Sequence, residues 1–203
     1  MRAKLSGYLE RPETVRRRYP ESNQTLPARY ARAISAYRHG DLRRAVAQMD
    51  GLIQSAPGDP YFHELKGQAL MEGGRATEAI PSLRRSVQLS NNAPLIDMLL
   101  AQALISSNNP QYAGEAVSLL QSALRREPES PSAYDQLAMA YGRKGDLAQA
   151  DLASAQAAFL RGDIRTAHQL AARAKTRLPI GSPAWVRADD IVNVKLPKTP
   201  PNR

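Results

Sequence analysis

Three histidines, His39, His63 and His168, are the side chains of this chain best suited to metal ligation or proton transfer at neutral pH, and there is no cysteine beside them. Only His63-Glu64 approaches a catalytic pattern. In H-E-x-x-H, two imidazoles one helical turn apart hold zinc and the glutamate acts as base. Here the position of the second histidine is Gly67, so a single imidazole remains and no zinc site is predicted. His63 reads as a partly exposed helix residue, His39 as a turn residue and His168 as part of a polar helix. No serine, aspartate or glutamate falls in a nucleophile elbow. The glycine pairs at Gly73-Gly74 and around Gly142 and Gly145 lack the G-K-[ST] of a phosphate loop. No catalytic residue, metal ligand or cofactor site is assigned to this chain.

Charge narrows the partners. The total of +9 is divided unevenly, with +7 over residues 1–44, −4 over 45–160 and +6 over 161–203. Nucleic-acid binding calls for a contiguous basic face, and the acidic middle argues against one. The basic ends, such as Arg16-Arg17-Arg18, allow peripheral contact with an anionic surface. No run approaches the ~18 apolar residues of a membrane span, and the first residues carry no apolar signal core.

What the residues do specify is a repeat. Small residues twelve apart recur as Ala33 with Ala45, Gly67 with Ala79, Ala138 with Ala150 and Ala155 with Ala167, while Ala101 and Ala116 are fifteen apart. The steps Ala33 to Gly67 and Gly67 to Ala101 are both 34 residues; Ala101 to Ala138 is 37, the extra three falling in the turn at Ser107 to Gln111. A helix-turn-helix unit of 34 residues is the period of the tetratricopeptide repeat, in which paired helices approach closely only where side chains are Ala or Gly. The predicted fold is all-α, a right-handed α-solenoid closed by a C-terminal capping helix.

In chain order, residues 1–25 form a helical connector whose Leu5, Tyr8, Leu9 and Val15 must dock elsewhere. The solenoid covers 26–193, with repeats at 26–59, 60–93, 94–130 and 131–163. Proline opens the first helix of repeats two, three and four, at the position where its missing N–H costs nothing. A further half-step over 148–180 starts 17 residues after repeat four, so one helix serves two hairpins. A cap over 183–193 sets Trp185 on the exposed end of the stack, as solenoids require. The proline-rich residues 194–203 are predicted to be disordered.

The repeat also predicts a docking surface. Outward positions of the first helices, on the concave side, are Tyr30, Ile34, Tyr37 and Arg38, then Tyr61, Glu64, Gln68 and Met71, then Leu95, Met98, Gln102 and Ile105, and finally Asp135, Met139 and Arg143. Tyrosine and methionine interleaved with polar groups suit an extended peptide or a partner's helix. The competing expectation is that some of these residues are interior, or that the chain's own N-terminal helix fills the groove.

Residues Arg2 to Pro20, RAKLSGYLERPETVRRRYP, resemble the connector that follows the catalytic domain of bacterial zinc metallopeptidases related to the CAAX prenyl proteases. Tyr134 to Asp163, Arg173-Ala174-Lys175 and Gly181 to Trp185 are similar to the end of the same proteins. The resemblance covers their non-catalytic part alone, because H-E-x-x-H and the third, acidic ligand are absent. It implies a periplasmic recognition region that presents substrates to a protease domain, with zinc bound only in that missing domain and envelope protein quality control as its task. The alternative is a free-standing scaffold that binds a peptide or protein partner.

Overall fold

The computed structural model describes residues 2–195, and all regular structure among them is helical. Of the predicted tail, residues 196–203 lie outside the described residues. The chain packs as two compact units, one through Ala103 and one from Leu104.

The first unit opens with α1 (Arg2–Leu9) and α2 (Pro12–Arg18), followed by the hairpins α3 (Leu26–Arg38) with α4 (Leu42–Ser55) and α5 (Pro60–Glu72) with α6 (Ala76–Leu89); α7 (Pro94–Ser106) begins in it. Local chemistry fixes these ends. Pro12, Pro60 and Pro94 occupy the first turn, Gly40 and Gly74 adopt the left-handed backbone that stops a helix, and Asp41 and Asp59 accept the orphan N–H groups of Arg44 and Tyr61. The core gathers Ala33, Ile34, Ala45, Met49, Leu52, Phe62, Leu65 and Ala69. Arg32 is buried beside it and donates to the carbonyls of Tyr19, Pro20 and Asn23 at 2.8–3.2 Å, tying the α2–α3 loop to α3.

The second unit holds a 3₁₀ turn (Pro110–Tyr112), α8 (Ala113–Arg126), α9 (Pro131–Lys144), α10 (Leu147–Leu160), α11 (Ile164–Lys175) and α12 (Pro183–Val192). The 3₁₀ turn contains part of the three-residue insertion that lengthened repeat three. Helix α10 packs against both α9 and α11, so it closes one hairpin and opens the next. That half-step is cemented by Asp151 of α10, which is buried and accepts from Arg173 at 2.6 and 2.8 Å and from Arg177 at 3.0 Å. The core here is mostly alanine, Ala155, Ala158, Ala167, Ala171, Ala174, Ala184 and Ala188, with Leu152, Leu178 and Ile191. Trp185 of α12 lies against it with the Lys175 ammonium 4.5 Å over its ring.

Most of the repeat's small residues are where close approach demands them. Ala33, Ala45, Ala79, Ala101, Ala116, Ala155 and Ala167 are fully buried, and a Cβ on Gly67 would sit inside the Leu83 side chain. Ala138 and Ala150 differ from expectation, for both are only half-buried. The half-step accounts for it: the neighbour that would cover this crossing in a regular array is replaced by α10 acting twice, and the fully buried alanines of α9 are Ala133 and Ala140. Ala33→Leu is therefore expected to lower stability by about 1–3 kcal/mol through overpacking, whereas Ala138→Leu costs less. Urea melts of the two variants against the parent check the order, and an equal loss at both sites would contradict it.

Candidate functional site

The face of the first unit that the repeat pattern marks for docking is shaped by how α1 lies on α3. Gly7 makes this possible: a Cβ there would stand 2.7 Å from Ile34 Cβ and 2.8 Å from the Ala31 carbonyl oxygen, closer than any real contact. With Gly7 the helices touch backbone to side chain, and Ile34 is sealed beneath. Ile34 was expected on an open face; it is fully buried, because the connector helix covers that turn of α3. Ile105, at the end of α7, is likewise buried rather than exposed.

Around this contact, tyrosines and carboxyls meet. Tyr8 of α1 and Tyr30 and Tyr37 of α3 pack on the core, and Tyr37 hydrogen-bonds Glu72. Burial raises all three phenols, Tyr30 to about 12, with Glu64 adding to the rise at Tyr8 and Tyr30. Glu64 itself is half-buried, and its carboxyl is raised above the usual range by desolvation, partly offset by Lys4 of α1. His63, expected to be partly exposed, is buried and its Nε2 lies 3.3 Å from the Pro57 carbonyl, which places it in the structural fabric of the α4–α5 turn.

Where α1 ends its cover, the surface opens into a cavity of about 410 Å³ between α1, α3 and α5. Ala3, Lys4, Leu26, Tyr30, Tyr61 and Phe62 supply most of its wall. The Tyr30 and Phe62 rings stand 5.3 Å apart at 56°, an edge-tilted pair that fixes the floor. Tyr61 is 58% exposed at the mouth, held by the Asp59 cap on its own N–H. Of the anticipated residues, Tyr30 and Tyr61 reach this cavity. Gln68, Met71 and Met98 are half-buried and Arg38, Leu95 and Gln102 exposed. Sequence reasoning missed Ala3, Lys4 and Phe62; the one signal for the first two was Gly7, a small residue on the inner face of a short helix.

In the second unit, Met139 and Arg143 of α9 are exposed, while Asp135 is engaged in an ion pair with Arg161. Among the described residues no cluster of His, Asp or Glu could hold a metal ion, and no helix is long and apolar enough to cross a membrane.

Residues 53–158, just over half the chain, match the sequence family described as the cytochrome c-type biogenesis protein H TPR domain. The chain belongs to this TPR family. The TPR region is also similar to the beta-barrel assembly-enhancing proteases of Yersinia pestis and Escherichia coli strain K12, each 26% identical over 166 residues, or 82% of the chain. The chain spans only about a third of the length of these relatives, 34% and 33%. Among solved structures, MamA 41-end from Desulfovibrio magneticus RS-1 superimposes with a TM-score of 0.66 at 19% identity, over 75% of this chain and 84% of MamA. YrrB, described as a TPR protein with an unusual peptide-binding site, gives 0.61 at 18% identity over 75% of each chain. These structures establish the TPR fold.

The raised Glu64 carboxyl has a consequence for stability. A group whose folded pKa lies above its unfolded value contributes in full below the unfolded pKa and loses that contribution as pH rises through the folded one. Glu64→Gln should then raise the melting temperature by ~1–3 °C at neutral pH. The gain should vanish below about pH 4, where the carboxyl is protonated in both states. Calorimetry at the two pH values decides it, and the same gain at both would mean that charge is not the cause.

Proposed function

We propose that this TPR region recognises unfolded or assembling polypeptide for a zinc metalloprotease of the bacterial periplasm, in the service of envelope protein quality control. The observation that carries this reading is the similarity over 82% of the chain to part of the beta-barrel assembly-enhancing proteases, joined to an aromatic cavity of about 410 Å³. The division of labour follows: zinc and H-E-x-x-H belong to another domain of the parent protein, and this region holds the substrate or packs on the protease. An aromatic-lined cavity with one lysine and one aspartate at its edge favours an apolar or aromatic side chain of an extended segment, with backbone groups left to the polar rim.

A second reading has its own support. The family match is to a TPR domain whose description names cytochrome c biogenesis and no protease. A scaffold acting without a peptidase would use the same cavity on a different partner. The two readings part at the parent protein, since only the first requires that the gene product carrying this chain also contain H-E-x-x-H and bind zinc.

The docking surface is tested with Tyr61 and Met98 both changed to Glu, using as ligand a β-barrel membrane protein diluted from urea. Binding measured by fluorescence anisotropy should weaken by about tenfold or more, which corresponds to ~1.4 kcal/mol. Helical content and melting temperature should stay nearly unchanged. Binding that survives the double change would move the site off this face.

A further inference from the structure

The outer face of α1 is apolar where a solvated helix would be polar. Gly7 is the point at which α1 meets Ile34, and residues two places to either side of it stand roughly 200° away around the helix. These are Leu5 and Leu9, one turn apart, 51% and 78% exposed. Arg2 shares their face, and Arg2, Leu5, Leu9 and Arg18 line one depression of the surface.

Cations surround this patch. Residues 2–18 hold six Lys and Arg against two Glu, a net +4, and all six cations are exposed. The two carboxylates are each met by one arginine, Glu10 by Arg18 and Glu13 by Arg16. Lys4 is partly answered by Glu64 of α5, so Arg2, Arg11 and Arg17 carry most of the excess. Exposed cations alone do not single out this edge, since Arg143, Lys144 and Arg165 are exposed too. Its distinction is that apolar and cationic residues coincide without a surplus of acid. In the second unit the exposed Val186 has Asp190 one turn on, and the exposed Met139 has Asp135 one turn before.

We propose that α1 and α2 dock this chain on an anionic lipid bilayer, with Leu5 and Leu9 inserted at the boundary of headgroups and acyl chains and Arg2, Arg11 and Arg17 on lipid phosphates. The occupant follows from charge complementarity. An apolar ridge flanked by guanidinium groups matches a layered partner, anionic at its surface and apolar just beneath. Arginine suits the rim of such a contact, because its stem lies along apolar surface while its head reaches phosphate. An acidic protein surface would answer the arginines but not two protruding leucines, and a second copy of the chain would bring like charges together. Two leucines offer far less apolar area than a lipid anchor, so the contact is reversible and sensitive to salt. It uses neither the cavity at Tyr61 nor the polypeptide recognition proposed there.

The test is flotation of the chain with vesicles of phosphatidylcholine alone and of phosphatidylcholine with about one quarter phosphatidylglycerol. The anionic vesicles should bind about tenfold more strongly or better, and the difference should shrink as salt rises from about 50 to 500 mM. Leu5→Ser with Leu9→Ser should weaken binding by about tenfold, and so, separately, should Arg2→Gln with Arg11→Gln and Arg17→Gln. All five side chains are exposed, and circular dichroism verifies that the variants keep their fold. Arg143→Gln with Arg165→Gln removes two exposed cations of the second unit and should change binding by less than about twofold. An equal loss there would reduce the effect to net charge and overturn the proposal, as would a leucine variant that binds like the parent or a parent that ignores anionic vesicles. Depth is read separately: the chain has no cysteine, so Leu9→Cys can carry a single polarity-sensitive fluorophore. Its emission should shift to the blue on anionic vesicles, and the same label at Met139→Cys should not respond; a silent label at Leu9→Cys would refute insertion. Self-association without lipid that the leucine variant abolishes would assign the face to a second copy instead. Binding to polyglutamate as strong as to anionic vesicles would assign it to an acidic polypeptide.

Discussion

Helix backbones in this protein approach one another at alanine and glycine, and that close approach is the constraint on which the rest depends. An alanine contributes little apolar area of its own, so a core such as Ala155, Ala158, Ala167, Ala171 and Ala174 gains its stability from dispersion between tightly apposed backbones as much as from burial of large side chains. The arrangement tolerates little growth in volume and leaves the larger apolar residues with two destinations. Some fill the flanks of each crossing, as Leu52, Leu83, Leu120 and Leu152 do. The others remain at the surface, where Tyr61, Leu95 and Met139 are 50–68% exposed. Exposed apolar side chains thus follow from the packing rule itself, since what the crossings cannot admit is displayed.

The same rule, applied once more at Gly7, changes which surface is available. A connector helix laid across α3 without a Cβ at the contact comes close enough to bury Ile34 and to bring Tyr8 and Lys4 toward Tyr37 and Glu64. The cost is one half-desolvated carboxyl. The gain is a cavity wall made by α1, so that the floor at Tyr30 and Phe62 is flanked on one side by Ala3 and Lys4. The cavity presents an aromatic floor, an aliphatic side, one ammonium and one carboxylate.

Much of this was legible in the residues. The 34-residue spacing of small side chains, proline at the first turn of α5, α7, α9 and α12, and the Gly-Asp pairs at 40–41, 145–146 and 162–163 are each short-range signals with a local physical cause, and the helix ends follow them closely. Ile34 shows what periodicity leaves out. It marks the face a side chain points to and is silent about what lies above that face, which here is decided by a helix some 27 positions earlier. Ala138 fails for the related reason that the repeat assumes a regular neighbour where the half-step supplies a shared one. The cavity at Tyr61 joins residues 3 to 62. That spacing corresponds to no local motif, so only tertiary packing could bring it into view.

The half-step also bears on how charge is used. In a regular array the second helix of one repeat pairs with its own first helix and with the next. Here α10 faces both α9 and α11, and the doubled role requires a fixed angle to each. Asp151 meets that requirement by drawing two arginines of the α11 segment to one buried carboxylate, an arrangement whose benefit is geometric specificity more than net energy, since desolvation offsets most of the Coulomb attraction. The break in the repeat thus places one buried carboxylate between two guanidinium groups, a joint that a uniform stack of hairpins would not require.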